Sequence, residues 1–240
     1  MEKEIIDVTF DVRTDSNGKD PDSASKTLKN YHKILWSKKL PNGQDFILKD
    51  NVVGAYLYHK SDLGEYWLSS DSVIHTYRFW KKTQNIISQV PKEDIEYFYY
   101  LAYTIGGSMI FPGNRINGKH TMNQERGMNS YINDRMDITL ECIKLFYDNE
   151  NSPIYDTIKR YEDFFCLFGN FKGYCEYFLL QDLVSENFTQ IQFFLPFEGF
   201  IKNPLPKNIE EYNIYKNNNI DFLHKRNNRI KEYNENMENT

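Results

Sequence analysis

Polar and apolar residues alternate between residues 5 and 15, and the apolar set shares one side of an extended chain. This set is Ile6, Val8, Phe10 and Val12. The alternation predicts that a half-buried strand opens the fold.

Helical spacing first appears at residues 28–35, where Ser23 or Ser25 can cap the predicted helix. Three short apolar and aromatic runs follow between residues 46 and 75, separated by turn residues. Runs of this length and composition predict strands of an antiparallel meander.

Two further helices are predicted at residues 77–90 and 93–103, the second of them after Pro91 in a first-turn setting. Residues 104–111, TIGGSMIF, form a short apolar run bounded by glycine and proline. This run predicts a buried strand that leads into a glycine-containing loop.

The second half of the chain has a mainly helical pattern. Apolar residues recur every three or four positions over residues 132–147 and again over residues 154–168, where Gly169 ends the second stripe. Residues 171–184 predict a third, largely buried helix.

The remaining pattern completes the predicted architecture. Residues 190–197 predict a late strand, and helices are expected to dock until about Tyr233, with residues 234–240 frayed. We therefore predict one α+β domain over residues 1–233, in which a small, mostly antiparallel sheet packs against a predominantly helical C-terminal half.

Composition excludes several functional classes. The 240-residue chain contains 18 Tyr and 17 Phe and carries a formal charge of −5, so it is expected to fold around an aromatic core and has no global attraction to nucleic acid or anionic membranes. It shows neither a signal-peptide-like start nor an apolar run long enough to cross a bilayer, which predicts a cytoplasmic protein without membrane partners.

Carboxylates and a glycine are concentrated near the N-terminus in DVRTDSNGKDPD. Hard cations prefer such oxygen ligands, but the residue order of a calcium-binding loop is not met. A solvated turn is the favoured interpretation, a substrate-contacting loop remains open, and no metal site is predicted. The candidate acids and amide are Asp11, Asp15, Asn17, Asp20 and Asp22.

The loop after residues 104–111 gathers cationic and amide side chains in FPGNRINGKHTMNQERG. Glycines permit close backbone approach, and cations at a loop can hold an anion such as a phosphate. We predict substrate contacts from Asn114, Arg115, Lys119 and Arg126, with His120 as a proton carrier. A loop whose charges pair with nearby acids is the alternative.

The spacing of Arg115 and His120 also matches a motif of helical ribonucleases, but the turn signal at residues 117–118 would interrupt a helix there. Thr121 is expected to cap a short helix through Glu125. The interpretation as an anion-binding loop is therefore favoured over the ribonuclease motif.

A second group of candidate side chains lies in SSDSVIH. A Ser-His-Asp triad on a nucleophile elbow would require a GxSxG motif, which is absent. We predict that Ser70 or Ser72 caps a helix and retain His75 as a candidate catalytic residue, while His32 is expected to be a partly exposed helix residue.

Several segments together resemble a bacterial family of uncharacterised proteins with one domain of unknown function. The resemblance extends from about residue 7 to residue 230 and implies a single domain, but no activity or site residues. It is carried by FDVRTD, DPDS, TLKNYHKILWSKKLPNG, LSSDSVIHTY, FPGNRING, NQERG, DRMDITLECI, YEDFFCLFGNFKGYCEYFLLQDL and FFLPF.

The leading functional hypothesis is an enzyme that acts on a phosphate-bearing substrate, such as a nucleotide or a nucleic-acid end. The alternative is a non-catalytic binding or interaction module, such as a component of a bacterial defence or toxin pair, with a protein partner. The pattern indicates neither a particular cofactor nor an oligomeric state.

Overall fold

The computed structural model of the protein describes residues 5–238. Its helices are α1 (Pro21–Ala24), α2 (Lys26–Trp36), α3 (Gln84–Ile87), α4 (Lys92–Ala102), α5 (Met122–Met128), α6 (Met136–Tyr147), α7 (Tyr155–Arg160), α8 (Glu162–Cys166), α9 (Phe171–Tyr177) and α10 (Ile209–Glu238). Its strands are β1 (Lys38–Lys39), β2 (Asp45–Phe46), β3 (Leu57–Ser61), β4 (Gly64–Ser72) and β5 (Ser108–Pro112).

The predicted α+β class is confirmed. The strands form two small antiparallel sheets, a β1–β2 pair and a three-stranded sheet in the order β3-β4-β5, and the C-terminal region is helical. Buried apolar side chains from the N-terminal turns through α10 form one hydrophobic cluster.

The end of β4 has a neighbouring strand on one side only. β3 pairs with β4 as far as Leu68, whereas β5 continues alongside to Ser72. The short helix α1 packs against β4, and its residue Asp22 reaches the side chain of Ser70. Beyond Leu68, where β3 no longer pairs with β4, the polar side chain of Ser70 therefore meets α1.

The predicted opening strand over residues 5–15 is wrong, because this segment is a series of turns. Asp7 accepts a hydrogen bond from the backbone N–H of Thr9 at 2.8 Å, and Asp11 accepts one from Arg13 at 3.0 Å. Such side-chain bonds compete with strand pairing and favour turns.

The late strand predicted at residues 190–197 is also wrong, since only a single bridge joins Val184 and Ile191. The backbone N–H of Phe194 donates instead to the buried carboxylate of Asp137 at 2.8 Å. Because a side chain satisfies this N–H, no strand partner is required.

Several predicted helices are shorter than their apolar patterns. Residues 77–90 contain only α3, and Tyr77 has a left-handed φ of 56°. The apolar stripe over residues 154–168 divides into α7 and α8. Within residues 171–184, the helix ends at Tyr177 and a short 3₁₀ turn follows. Buried aromatic residues therefore recur at helical spacing even in segments whose backbone does not form a continuous helix.

The C-terminal helix α10 continues to Glu238, beyond the end that we predicted at about Tyr233. Its buried face carries Tyr212, Tyr215, Leu223 and Arg226, so the helix is part of the core. Among the described residues, no helix combines the length and the apolar character that crossing a membrane would need.

The glycine at position 106 lies directly against α10. Its backbone N–H donates to Asn227 Oδ1 at 2.9 Å, and a Cβ added at Gly106 would lie 2.4 Å from that oxygen. Asn227 cannot move away freely, because its Nδ2 also donates to Thr104 Oγ1 at 2.9 Å.

We therefore expect Gly106→Ala to lower the free energy of unfolding by about 1–3 kcal/mol, as overpacking does in other cores. Urea unfolding followed by circular dichroism measures this change. Gly118→Asn is the control, because Gly118 has open space around it and a left-handed φ of 70° that asparagine tolerates. Equal stability of the two variants would show that the contact with Asn227 is unimportant.

Candidate functional site

Five titratable or charged side chains lie close enough at the end of β4 to affect one another's charge. They come from α1, from β4 and the segment after it, from α5 and from the loop before α6. We call this group the aspartate–arginine cluster, and its members are Asp22, Asp71, His75, Arg126 and Asp134.

Arg126 is fully buried at the centre of this cluster. Its Nη1 donates to the carboxylate of Asp71, its Nε donates to Thr139 Oγ1 at 3.0 Å, and its guanidinium lies 5.0 Å from the ring centre of Phe111. Arg126 is thus paired inside the protein with Asp71, whose side chain is 23% exposed.

The position of Arg126 follows from the way that α5 begins. Thr121 caps the helix as predicted, but the reciprocal bond of the capping box comes from Gln124 rather than from Glu125. This arrangement fixes the first turn of α5 and directs Arg126, one turn later, towards Asp71.

Asp134 joins the cluster through an unusual loop. Asn133 and Asp134 both have left-handed φ values, 48° and 60°, and the carboxylate of Asp134 lies over Gly127. A Cβ at Gly127 would lie 3.1 Å from both carboxylate oxygens, so a side chain at this position would crowd Asp134.

Asp22 is held by a chain of buried hydrogen bonds. Ser70 Oγ donates to Asp22 Oδ1 at 2.5 Å, and His32 Nε2 lies 3.0 Å from the same serine oxygen. Trp36 Nε1 donates to His32 Nδ1 at 3.0 Å. A donated proton at Nδ1 places the imidazole proton on Nε2, so His32 donates to Ser70.

This direction of donation excludes a Ser-His-Asp triad built on Ser70. A general base must accept the serine proton, whereas the accepting nitrogen of His32 is already occupied by Trp36. Burial lowers the pKa of His32 to about 3, and the ring is therefore neutral. The prediction that His32 is partly exposed is wrong, as is the prediction that Ser70 or Ser72 caps a helix.

Two aspartates in the cluster have pKa values near neutrality. Burial raises the pKa of Asp22 to about 6, with Ser70 opposing the rise and the charge of Asp20 adding to it. Burial raises the pKa of Asp71 to about 7 against the opposing effect of Arg126, and the charges of Asp22 and Asp134 add to the rise. Since the charges of Asp22 and Asp134 act on Asp71 and only one guanidinium opposes them, the cluster retains a proton near pH 7.

His75 lies beside these groups, and its hydrogen bond determines which ring nitrogen carries the proton. Its Nδ1 accepts the backbone N–H of Tyr77 at 3.0 Å, which leaves Nε2 as the protonated nitrogen. Burial lowers the pKa of His75, the charge of Asp134 opposes this effect, and the charge of Arg126 adds to it. Neutral His75 is therefore equipped to donate a hydrogen bond.

Asn123 provides spare hydrogen-bonding capacity next to the cluster. Its Nδ2 donates to Ser69 Oγ at 3.2 Å and to the carbonyl oxygen of Ser70 at 3.0 Å. Its Oδ1 is buried and has no hydrogen-bond partner among the described residues. A buried acceptor without a donor is costly unless water or a ligand supplies one.

The other predicted site residues lie in the loop between β5 and α5. Arg115 and Lys119 are exposed, and their side chains form no hydrogen bond or ion pair with the described residues. His120 lies 3.3 Å from Glu125 and is 44% exposed. The backbone carbonyl of Asn114 accepts a hydrogen bond from Tyr161 at 2.6 Å.

The structure therefore brings only part of the predicted site together. His75 and Arg126 belong to the cluster, whereas no contact among the described residues joins Arg115, Lys119 or His120 to it. The loop nevertheless starts beside Ser69, which accepts a hydrogen bond from Asn123, because a Cβ at Gly113 would lie 2.8 Å from Ser69 Oγ.

The turn that interrupts the ribonuclease-like spacing is confirmed. Asn117 and Gly118 both have left-handed φ values, 53° and 70°, so Arg115 and His120 do not share a helix. This geometry removes the support that the spacing alone gave to a ribonuclease.

Most carboxylates of the acidic N-terminal segment each stabilise a different local structure. Asp11 pairs with Arg13, Asp15 accepts the backbone N–H of Thr27 at 2.9 Å, and Asp20 caps α1. Among the residues that the structure describes, no three His, Cys, Asp or Glu side chains are arranged to hold a metal ion.

Asp22 and Asp71 lie in two separate candidate segments of the sequence, and no sequence pattern joins them. The sequence feature that could have indicated this site is the run of four polar residues in SSDS. A strand with a neighbouring strand on each side rarely contains four polar residues in succession. Nothing in the local pattern shows that α1 lies against that run.

The comparison with protein families gives one match. The model described as Family of unknown function (DUF6994) matches residues 6–230. The chain belongs to this family. No curated protein and no solved structure matches the chain. Membership in DUF6994 agrees with the resemblance seen in the sequence and assigns no activity to the cluster.

Proposed function

We propose that this DUF6994 chain is an enzyme that transfers protons at the aspartate–arginine cluster. The supporting observation is the pair of carboxyl groups in the cluster, Asp22 and Asp71, which come from different elements and have pKa values raised to about 6 and about 7. Such values let one carboxyl group hold a proton while the other accepts one at the pH where most enzymes operate.

The roles follow from the two environments. Asp71 is partly exposed and has the higher pKa, so it acts as the acid. Asp22 has the lower pKa and acts as the base, with Ser70 fixing its orientation. His75 donates a hydrogen bond to the substrate from Nε2, and Asn123 Oδ1 accepts one from it.

The proposed substrate carries a phosphate, as in a nucleotide or a nucleic-acid end. The exposed cations Arg115 and Lys119 support this choice, because neither is committed to a protein partner among the described residues. Three aspartates would repel an anion, so the phosphate binds at the loop and the reacting group at the cluster is uncharged. A bacterial origin, a cytoplasmic location and the anion-binding role of this loop belong to the same proposal.

Turnover of a substrate panel tests this function. The wild-type protein is incubated with nucleoside phosphates and with oligonucleotides that carry a terminal phosphate, and products are followed by phosphorus NMR and mass spectrometry. We expect Asp22→Asn to lower kcat by about 10²-fold or more, because it removes a proton carrier but retains an acceptor for Ser70.

Two further variants complete the test. Asp45→Asn is the matched control, since Asp45 is an exposed aspartate paired with Lys39, and it should keep the wild-type rate. Arg115→Ala combined with Lys119→Ala should raise KM and leave kcat largely unchanged. Wild-type turnover by Asp22→Asn would contradict the assigned chemistry.

The alternative, a binding or interaction module, is supported by one exposed surface. The ring of Phe79 is 72% exposed and lies 5.9 Å from the ring of Tyr99, and Arg78 stacks on both rings. Aromatic and arginine side chains are enriched at protein interfaces. Absence of turnover on the whole panel by the wild-type protein would favour this second function.

A further inference from the structure

A pocket of about 320 Å³ lies between the β1 region and α9, away from the residues assigned to catalysis. Its wall is mainly apolar and aromatic, with two lysines and one carboxylate. The residues that matter for its chemistry are Lys38, Leu40, Pro41, Glu176, Tyr177 and Tyr233.

The amine of Lys38 has an unusual set of neighbours. Its Nζ donates to the backbone carbonyl of Tyr177 at 2.5 Å. It also lies 5.1 Å from the ring centre of Trp36 and 4.5 Å from the ring centres of Tyr177 and Tyr233. Among the described residues, no carboxylate forms an ion pair with Lys38, although Glu176 lines the same pocket.

This environment disfavours the charged form of the amine. Burial lowers the pKa of Lys38 to about 7, and the charge of Arg226 adds to this effect. The three rings and the Tyr177 carbonyl favour the ammonium form, but they supply no negative charge to offset the loss of water. Lysines of this kind serve as nucleophilic amines in other proteins.

We propose that Lys38 is a nucleophilic amine that binds small carbonyl compounds covalently, as an imine, in this pocket. The inference is independent of the proposed function at the aspartate–arginine cluster, because no contact among the described residues joins Lys38 to that cluster. Leu40, Pro41 and the two tyrosine rings select an aldehyde or ketone with an apolar body.

The reaction is balanced without an oxidant or a reductant. The nitrogen lone pair attacks the carbonyl carbon, and the resulting carbinolamine loses its oxygen as water to form the C=N bond. Glu176 is the carboxylate in the pocket that can carry the proton between nitrogen and the departing oxygen.

Reductive trapping tests the proposal on the intact protein. The wild-type chain is treated at pH 7 with limiting acetaldehyde and cyanoborohydride, and ethylation at each lysine is measured by peptide mass spectrometry. Lys39 is the matched control because it lines the same pocket, is 69% exposed and pairs with Asp45.

We expect Lys38 to be modified about 10-fold faster than Lys39 or more, since an ordinary lysine holds almost no neutral amine at pH 7. In Tyr233→Ala, water reaches the amine, so this ratio should fall several-fold. Equal or slower modification of Lys38 in the wild-type protein would overturn the proposal, as would a ratio that Tyr233→Ala leaves unchanged.

Discussion

Replacing Arg226 by methionine is expected to lower the free energy of unfolding by about 3–5 kcal/mol. The guanidinium is fully buried, and its Nη1 donates to the carbonyl oxygens of Gly106 at 2.8 Å and Ser108 at 3.1 Å. Its Nη2 donates to the carbonyl of Phe178 at 3.2 Å. Methionine fills similar space but leaves three buried carbonyl groups without these donors.

Urea unfolding monitored by circular dichroism measures this loss. Arg229→Met is the matched control, because Arg229 lies on the same helix but is 36% exposed and pairs with Asp182 near the surface. Partly exposed ion pairs contribute about 1 kcal/mol or less. A cost below about 1 kcal/mol for Arg226→Met would show that α10 does not depend on this side chain.

Replacing Asp22 by asparagine is expected to change the pH dependence of stability. In the folded protein, Asp22 keeps its proton up to about pH 6, whereas the ordinary pKa of an aspartate, taken for the unfolded chain, is 3.8. Between these values the folded state binds more protons than the unfolded state, so rising pH destabilises the wild-type protein. The contribution of Asp22 is fully present below about pH 4, falls as pH rises from about 4 to 6, and is lost above pH 6, by up to about 3 kcal/mol in total.

The variant lacks this titration, so its stability relative to wild type should increase by up to about 3 kcal/mol between pH 4 and pH 8. Chemical denaturation at several pH values measures the difference. Asp45→Asn, which alters an exposed carboxylate, should show no comparable trend. A relative stability of Asp22→Asn that is constant with pH would contradict the raised pKa.

Regular elements could be predicted where a local signal was sufficient. Helical spacing behind a serine cap indicated α2, and glycine and proline boundaries indicated β5. The opening segment could not be distinguished from a strand, because Ile6 and Val12 are buried as the alternation predicted while Asp7 and Asp11 direct the backbone into turns. Hydrophobic pattern reports burial more directly than it reports backbone conformation.

The candidate site was less predictable than the fold. Arg126 and His75 were recognised as candidates, but Arg126 was expected to face an anion and instead pairs with Asp71. Asp22 reaches Ser70 across 48 positions of sequence. Contacts of this range depend on where β3 ends and α1 packs, and no local pattern encodes that arrangement.

The proposed function requires that both Asp22 and Asp71 titrate near neutral pH. Carbon-13 NMR of aspartate side-chain carboxyl groups, assigned with Asp22→Asn and Asp71→Asn, measures both titrations directly. We predict midpoints near pH 6 for Asp22 and pH 7 for Asp71. Midpoints at or below about 4 for both groups, the ordinary range for aspartate, would contradict the account.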